Sequence, residues 1–210
     1  MRHMEQDYQA ALEKASHHFN LIKKRIWSLH STVEQLSNSE VSLDYSITLD
    51  HAYLDIRKII EELMLISVAA HDHAGIQLTK RIRKEWNAQK IMRGLEQINS
   101  KFFPDAIEIL PSDEDGLGGK LMAVDTDYLA RDFAAEMYNL CGDVLHSNNK
   151  PISPNIVQQR FQKAKKFELE VRRLLDTFEI DISGNGFMVF GHLEFEKNNP
   201  PKLFLASLVH

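Results

Sequence analysis

Two charged side chains lie inside an otherwise apolar stretch of the sequence. Arg57 and Glu61 are four residues apart, among Ile56, Ile59 and Ile60. This spacing places them on one face of a helix, one turn apart, and the apolar neighbours predict that both are partly buried. Burial of a charge is costly unless a partner satisfies it. Two interpretations follow: an ion pair that fixes helix packing, or a polar pocket whose guanidinium donates to a phosphate or carboxylate.

A second polar concentration runs from Tyr138 to Asn149, where a predicted helix ends at His146. The negative end of a helix dipole raises the proton affinity of a histidine. Such a histidine is suited to act as an acid, a base or a phosphate contact in an exposed loop. The alternative is a capping role, in which His146 and the following amides bond the last helix carbonyls. Both interpretations stay open at the level of sequence.

Basic residues are locally dense between positions 80 and 93, with Glu85 as the one acid and Trp86 among them. The chain as a whole has 25 Lys and Arg against 30 Asp and Glu, a formal charge of -5, so any contact with nucleic acid must be local. The run predicts either a patch that contacts an RNA backbone or a solvated helix face. Its basic members are Lys80, Arg81, Arg83, Lys84, Lys90 and Arg93.

Metal, cofactor and common hydrolase chemistry are not predicted. The phosphate-binding G-x-x-x-x-G-K-[ST] loop, G-x-S-x-G and H-E-x-x-H are all absent. Cys141 is the single cysteine, which excludes an internal disulfide and a thiolate zinc site. His71-Asp72-His73 contains possible ligands, but adjacent helix positions point in different directions, and the expectation is a solvated helix end.

Composition predicts one domain of a cytoplasmic protein without a membrane segment. The chain has 210 residues, of which 43% are apolar, in the range of globular proteins. A single cysteine suits a reducing compartment, and no apolar run approaches the roughly 20 residues that span a bilayer.

Apolar periodicity predicts a mainly α fold, a helical bundle of about five helices with a small C-terminal antiparallel β appendage. The bundle is expected over 1–178, with a surface excursion at 100–125, and the appendage over 179–210, packed on the bundle or at a dimer interface. The third helix is expected to present one apolar side that includes Trp86 and to kink near Asn87. The helices are expected at about 4–37, 50–70, 75–99, 126–146 and 153–178. The second half of the second helix is apolar on all sides, which predicts the central helix of the core. Asp125 or Thr126 is expected to cap the fourth helix, Ser153-Pro154 to open the last, and an Asn-Gly turn at 184–186 to join two strands of the appendage.

The N-terminal helix carries an unbroken seam of apolar residues, spaced alternately four and three apart from Tyr8 to Leu36. The seam either packs on its own domain or joins two copies of the chain. A homodimer through this helix or the C-terminal strands is the prediction.

The Arg57-x-x-x-Glu61 pair, together with a later helix that ends Cys141-Gly-Asp-Val-Leu-His146-Ser-Asn148, resembles a group of uncharacterised bacterial proteins and, more remotely, HEPN domains. Many HEPN domains are all-helical, metal-independent ribonucleases of toxin–antitoxin and phage-defence systems that dimerise around RNA. His146 and Asn148 match the His end of their Arg-x4-6-His motif, whereas the nearest upstream arginine is Arg131.

That resemblance implies an RNA-binding or RNA-cleaving protein of a bacterial defence or toxin system. His146 would be the general acid and base, Arg57 the phosphate contact from another helix, and Glu61 the residue that orients Arg57. Asn148 and the basic run would contact RNA. The alternative is a non-enzymatic interaction module, an accessory or antitoxin-like subunit, in which the same polar residues hold helices together and the chain recruits a protein partner.

Overall fold

The computed structural model describes residues 2–111, 119–146, 153–182, 187–196 and 198–207. Within them lie six helices: α1 (Arg2–Ser37), α2 (Leu43–His73), α3 (Lys80–Arg83), α4 (Ala88–Glu96), α5 (Arg131–Leu145) and α6 (Pro154–Asp176). The strands are β1 (Asp105–Pro111), β2 (Gly119–Ala123), β3 (Thr177–Ile182), β4 (Phe187–His192) and β5 (Lys202–Ser207). The prediction of a mainly α protein is confirmed. None of the helices described combines the length and apolar character needed to cross a membrane.

Helix α2 is the central element of the core, as its apolar composition predicts. It begins at Leu43, about two turns before the predicted start near residue 50, because the Ser42 side chain accepts a hydrogen bond from the Tyr45 backbone N–H and caps the helix. Helices α1, α5 and α6 pack around it. Its middle is buried over a wide face, at Ile56, Ile59, Ile60, Leu63 and Met64, whereas Leu54 on the opposite face is 41% exposed.

The apolar seam of α1 packs within its own chain. Its positions from Ala15 to Leu36 are all buried, chiefly against α2, and Phe19 makes an edge contact with Phe178 of β3, with ring centres 5.5 Å apart. Buried side chains cannot also meet a second copy, so this part of the seam is occupied. The homodimer stays a prediction.

The strands form one antiparallel sheet in the order β2-β1-β3-β4-β5. The expectation of a small, C-terminal appendage is therefore wrong in extent: the 100–125 excursion is a hairpin of β1 and β2 that joins the C-terminal strands. Asp105 pairs with Glu179, and Ala106 with Phe178. No local pattern signals a pairing between segments more than 70 residues apart. The predicted Asn-Gly turn at 184–186 lies outside the described residues.

The predicted third helix at 75–99 is two short helices, α3 and α4, each with its own cap. The side chains of Thr79 and Asn87 accept hydrogen bonds from the backbone N–H groups of Ile82 and Lys90, so each starts a new helix. Trp86 lies in the loop between them and is 64% exposed. Its predicted place on a buried apolar side is wrong, because the break changes the direction in which residue 86 points.

The ends of α5 and α6 agree in part with the sequence patterns. Ser153 accepts a hydrogen bond from the Ile156 backbone N–H and Pro154 opens α6, as predicted. Helix α5 ends with His146 as its C-cap residue, also as predicted, but it begins at Arg131 rather than after Asp125 or Thr126.

Candidate functional site

Arg57 and Glu61 meet each other and Tyr138 at the contact between α2 and α5. Arg57 Nε donates to Glu61 Oε1 at 3.1 Å, and Arg57 Nη2 donates to the Tyr138 hydroxyl at 3.2 Å. The hydroxyl donates to Glu61 Oε1 at 3.1 Å, and Lys58 Nζ donates to Glu61 Oε2 at 2.7 Å. The guanidinium lies 4.8 Å from the Tyr138 ring centre, a cation–π contact. We call Arg57, Lys58, Glu61 and Tyr138 the Tyr138 junction.

The first turn of α4 closes the same junction from a third side. The Ala88 backbone lies close to the Tyr138 hydroxyl, and Gln89 Nε2 donates to Asn139 Oδ1 at 3.0 Å. Ala88 itself is fully buried. The junction therefore joins α2, α4 and α5, and it sets where the loop before α4 lies.

Tyr138 and the nearby Cys141 both keep their protons, which suits a structural role rather than a nucleophilic one. Burial, with the neighbouring Glu61 charge, raises the pKa of Tyr138 to about 12. Burial likewise raises the pKa of the Cys141 thiol to about 12. Both groups stay protonated near neutral pH, and a thiol that keeps its proton is a weak nucleophile.

The carboxylate of Glu61 is buried and fully engaged. Oε1 accepts from Arg57 and Tyr138, and Oε2 accepts from Lys58. The two cations reach towards solvent, with side chains 23% and 43% exposed for Arg57 and Lys58. This geometry fits the ion-pair interpretation of the Arg57–Glu61 spacing. Sequence reasoning missed Tyr138 as their partner, although a tyrosine at a buried helix position needs a hydrogen bond for its hydroxyl.

His146 does not share in the junction. It is exposed at the end of α5, where its backbone N–H donates to Gly142 O at 3.2 Å. It follows Tyr138 by eight residues, which is about 12 Å along a helix. The hydrogen bonds of Arg57 go to Glu61 and Tyr138 instead. Asn148, the other predicted residue of this group, lies outside the described residues.

Apart from Asn148, the predicted RNA contacts lie on one exposed, well-anchored surface. We call it the basic segment: residues 80–93, comprising α3, the loop and most of α4. Ile82 points inward and packs so closely on α4 that a Cβ at Gly94 would lie 3.0 Å from its side chain. The cations around it, Lys80, Arg81, Arg83 and Lys84, are all exposed.

Acidic partners are few on this surface. Arg83 Nη2 is 2.7 Å from Asp72 Oδ1, and Lys90 Nζ is 3.8 Å from Glu85 Oε2. Among the described residues, no carboxylate is within ion-pair distance of Lys80, Lys84 or Arg93. The basic segment thus keeps a local excess of positive charge that the protein's own acids do not neutralise.

The expectation of a solvated helix end at His71-Asp72-His73 is wrong for His71, which is fully buried. Its Nδ1 is 2.7 Å from Ser67 O, and its Nε2 is 3.0 Å from Asn99 Nδ2. A donor on one ring nitrogen and an acceptor on the other describe a neutral imidazole. Burial lowers the pKa of His71, in agreement with that state.

The described residues contain no group of three or more His, Cys, Asp or Glu side chains arranged to hold a metal ion. No protein-family model, curated protein or solved structure matches this chain. The resemblance to HEPN domains therefore stays a prediction, and the geometry of the basic segment and of the Tyr138 junction is what bears on function.

Proposed function

We propose that this chain binds RNA through the basic segment, while the Tyr138 junction holds α2, α4 and α5 together. The observation that carries the proposal is the exposed turn of α3, where four cations surround one inward-pointing residue, Ile82. Two carboxylates, those of Asp72 and Glu85, accompany them. Phosphate oxygens are the natural partners of such a surface, because Lys and Arg that neutralise phosphates release condensed counterions.

The overall charge of -5 makes this local excess informative. A negative protein repels a polyanion at long range, so contact is confined to a surface where the local charge is positive. The resemblance to HEPN domains is the reason for choosing RNA rather than DNA as the first probe.

RNA cleavage by His146, with Arg57 and Glu61, is the stronger form of the same hypothesis, and the bacterial defence or toxin setting is its proposed context. Binding without cleavage is the form that the closed Tyr138 junction favours, because Glu61 and Tyr138 are engaged with protein partners. The non-enzymatic interaction module shares this interpretation of the junction and differs in having a protein partner in place of RNA.

The test measures the affinity for single-stranded RNA over a range of salt concentrations. The variant replaces Lys80, Arg81, Arg83 and Lys84 by Gln. For a single strand, the slope of log affinity against log salt is about -0.7 for each phosphate neutralised. We expect the variant to flatten that slope by about 2 to 3, with weaker binding at low salt.

The matched control removes four positive charges from α6 instead, by replacing Lys163, Lys165, Lys166 and Arg173 with Gln. These side chains are exposed, like those of α3. Each variant loses four positive charges, so the two variants have the same net charge. An equal loss of slope in both variants would indicate attraction by overall charge rather than a site. Absence of RNA binding by the unmodified protein at low salt would refute the proposal.

A further inference from the structure

Trp86 is a large aromatic side chain held out in water in the middle of the basic segment. It is 64% exposed, whereas aromatic side chains generally contribute their large area to cores and interfaces. The chain's other tryptophan, Trp27 on α1, is 38% exposed and makes an edge contact with His30, with ring centres 6.3 Å apart. Trp86 thus presents far more of its ring to solvent than Trp27 does.

The backbone that carries Trp86 is fixed. Glu85 Oε1 accepts hydrogen bonds from the backbone N–H groups of both Trp86 and Asn87, each at 3.1 Å. Asn87 in turn caps α4 by accepting from the Lys90 N–H at 3.1 Å. The bond from the Asn87 N–H lowers the pKa of Glu85, so the carboxylate stays ionised. A ligand that contacts Trp86 therefore meets a loop that is already ordered, and the entropy cost of binding is smaller.

The position of Trp86 relative to the Tyr138 junction is fixed as well. Ala88, two positions further on, is fully buried and lies beside Tyr138. Lys84 precedes the loop and Lys90 follows it, so the indole lies between cations along the chain. Proteins bind single-stranded nucleic acids with this combination of an exposed aromatic ring and basic side chains: bases stack on the ring and phosphates lie near the cations.

We propose that Trp86 is a stacking platform for an unpaired nucleobase, and that the basic segment consequently selects single-stranded over double-stranded RNA. This inference rests on the proposed RNA binding and specifies its ligand. In an RNA duplex the bases are stacked on each other and the major groove is too narrow for side chains, so Trp86 would have no base face to contact. In a single strand every base offers such a face.

The two tryptophans provide the first test, because each can be made the sole fluorescent reporter. In Trp27→Phe the signal comes from Trp86, and in Trp86→Phe it comes from Trp27. The probe is a short single-stranded RNA, with a duplex of the same sequence beside it. We expect the single strand to quench the fluorescence of Trp27→Phe and to leave that of Trp86→Phe unchanged.

The second test compares affinities for the unmodified protein, Trp86→Ala and Trp86→Phe. Stacking of one base is worth about 1–3 kcal/mol, so Trp86→Ala should weaken binding to the single strand by about 5- to 150-fold with no change in the salt slope. Trp86→Phe keeps an aromatic face and should recover most of that loss. Binding to the duplex should be the same in all three, and circular dichroism should show an unchanged fold.

The outcomes separate this inference from the proposed function. Suppose that the protein binds RNA with a steep salt dependence, but that Trp86→Ala has the same affinity for single strand and duplex as the unmodified protein. The stacking platform is then refuted and the charge contact stands. Quenching of Trp27 in place of Trp86 would refute it as well. If no RNA binds at low salt, both proposals fall.

Discussion

The Tyr138 junction and the basic segment contain the same kinds of charged side chain, yet they differ in how those charges are used. At the junction, buried Glu61 accepts three hydrogen bonds, from Arg57, Lys58 and Tyr138. On the basic segment, Lys80 and Lys84 extend into water, and among the described residues no carboxylate lies within ion-pair distance of them. The two regions meet at the first turn of α4, where Ala88 lies close to Tyr138 and Gln89 donates to Asn139.

The difference shows that burial, rather than residue type, separates a structural cluster from a binding surface. A buried charge must find its partners within the protein, since an uncompensated one is strongly destabilising. An exposed charge is satisfied by water and contributes little to stability, so it remains available to a ligand. Perturbing the two regions should therefore affect different measurements: stability at the junction, and affinity with its salt dependence on the basic segment.

The largest stability effect is expected from Arg57→Ala. The variant leaves Glu61 buried with two of its three donors, and removing one partner of a buried charge costs about 3–5 kcal/mol when burial is complete. Because Lys58 remains and Arg57 is partly exposed, we expect a loss of about 3 kcal/mol in the free energy of unfolding, measured with urea.

Two control variants sharpen this result. Arg93→Ala removes an exposed arginine from α4 and should change stability by no more than about 0.5 kcal/mol. The double variant Arg57→Ala/Glu61→Leu removes the stranded carboxylate as well and should recover part of the loss. An equal, small effect of Arg57→Ala and Arg93→Ala would mean that the junction does not stabilise the fold.

A second closed network, around His71, should make stability depend on pH. Burial lowers the pKa of His71 in the folded protein below the unfolded value of about 6.5. The unfolded chain then binds more protons in the interval between the two values. The stabilisation is therefore complete above about pH 6.5 and is lost as pH falls towards the folded pKa, by at most about 1.4 kcal/mol per pH unit.

The measurement is the urea midpoint at several values between pH 7.5 and pH 5, all on one buffer series, for the unmodified protein and for His71→Gln. The difference between the two curves isolates the contribution of His71 from that of the other titrating groups. We expect the steeper decline for the unmodified protein. Parallel curves would show that His71 binds the same number of protons in both states.

The smallest effect on stability is expected from His146→Ala. His146 is exposed at the C-cap of α5, and substitutions at exposed positions usually change stability by less than about 0.5 kcal/mol. This variant is accordingly the clean test of RNA cleavage. If the unmodified protein cleaves RNA and the folded variant does not, the catalytic role implied by the HEPN resemblance is supported. A loss above 2 kcal/mol would instead assign His146 a structural role.

The sequence was most informative where one helix contains the whole signal. The apolar middle of α2 predicts its central place, Ser153-Pro154 predicts the start of α6, and the amides after His146 mark the end of α5. The basic segment was also predicted, because its charges are close together along the chain. The break at Asn87 was anticipated only as a kink, since its capping bond competes with a helical pattern that continues past it.

Sequence alone determined the mainly α class, the core face of each long helix and the location of the local positive charge, because these follow from spacing within a few turns. Only the tertiary structure decided that Tyr138 meets Arg57, that β1 pairs with β3, and that Trp86 faces water. Each depends on segments distant in the chain or on the direction in which a loop turns. The partners of a polar residue are therefore set by packing, whereas its helix and its face are set by the local pattern.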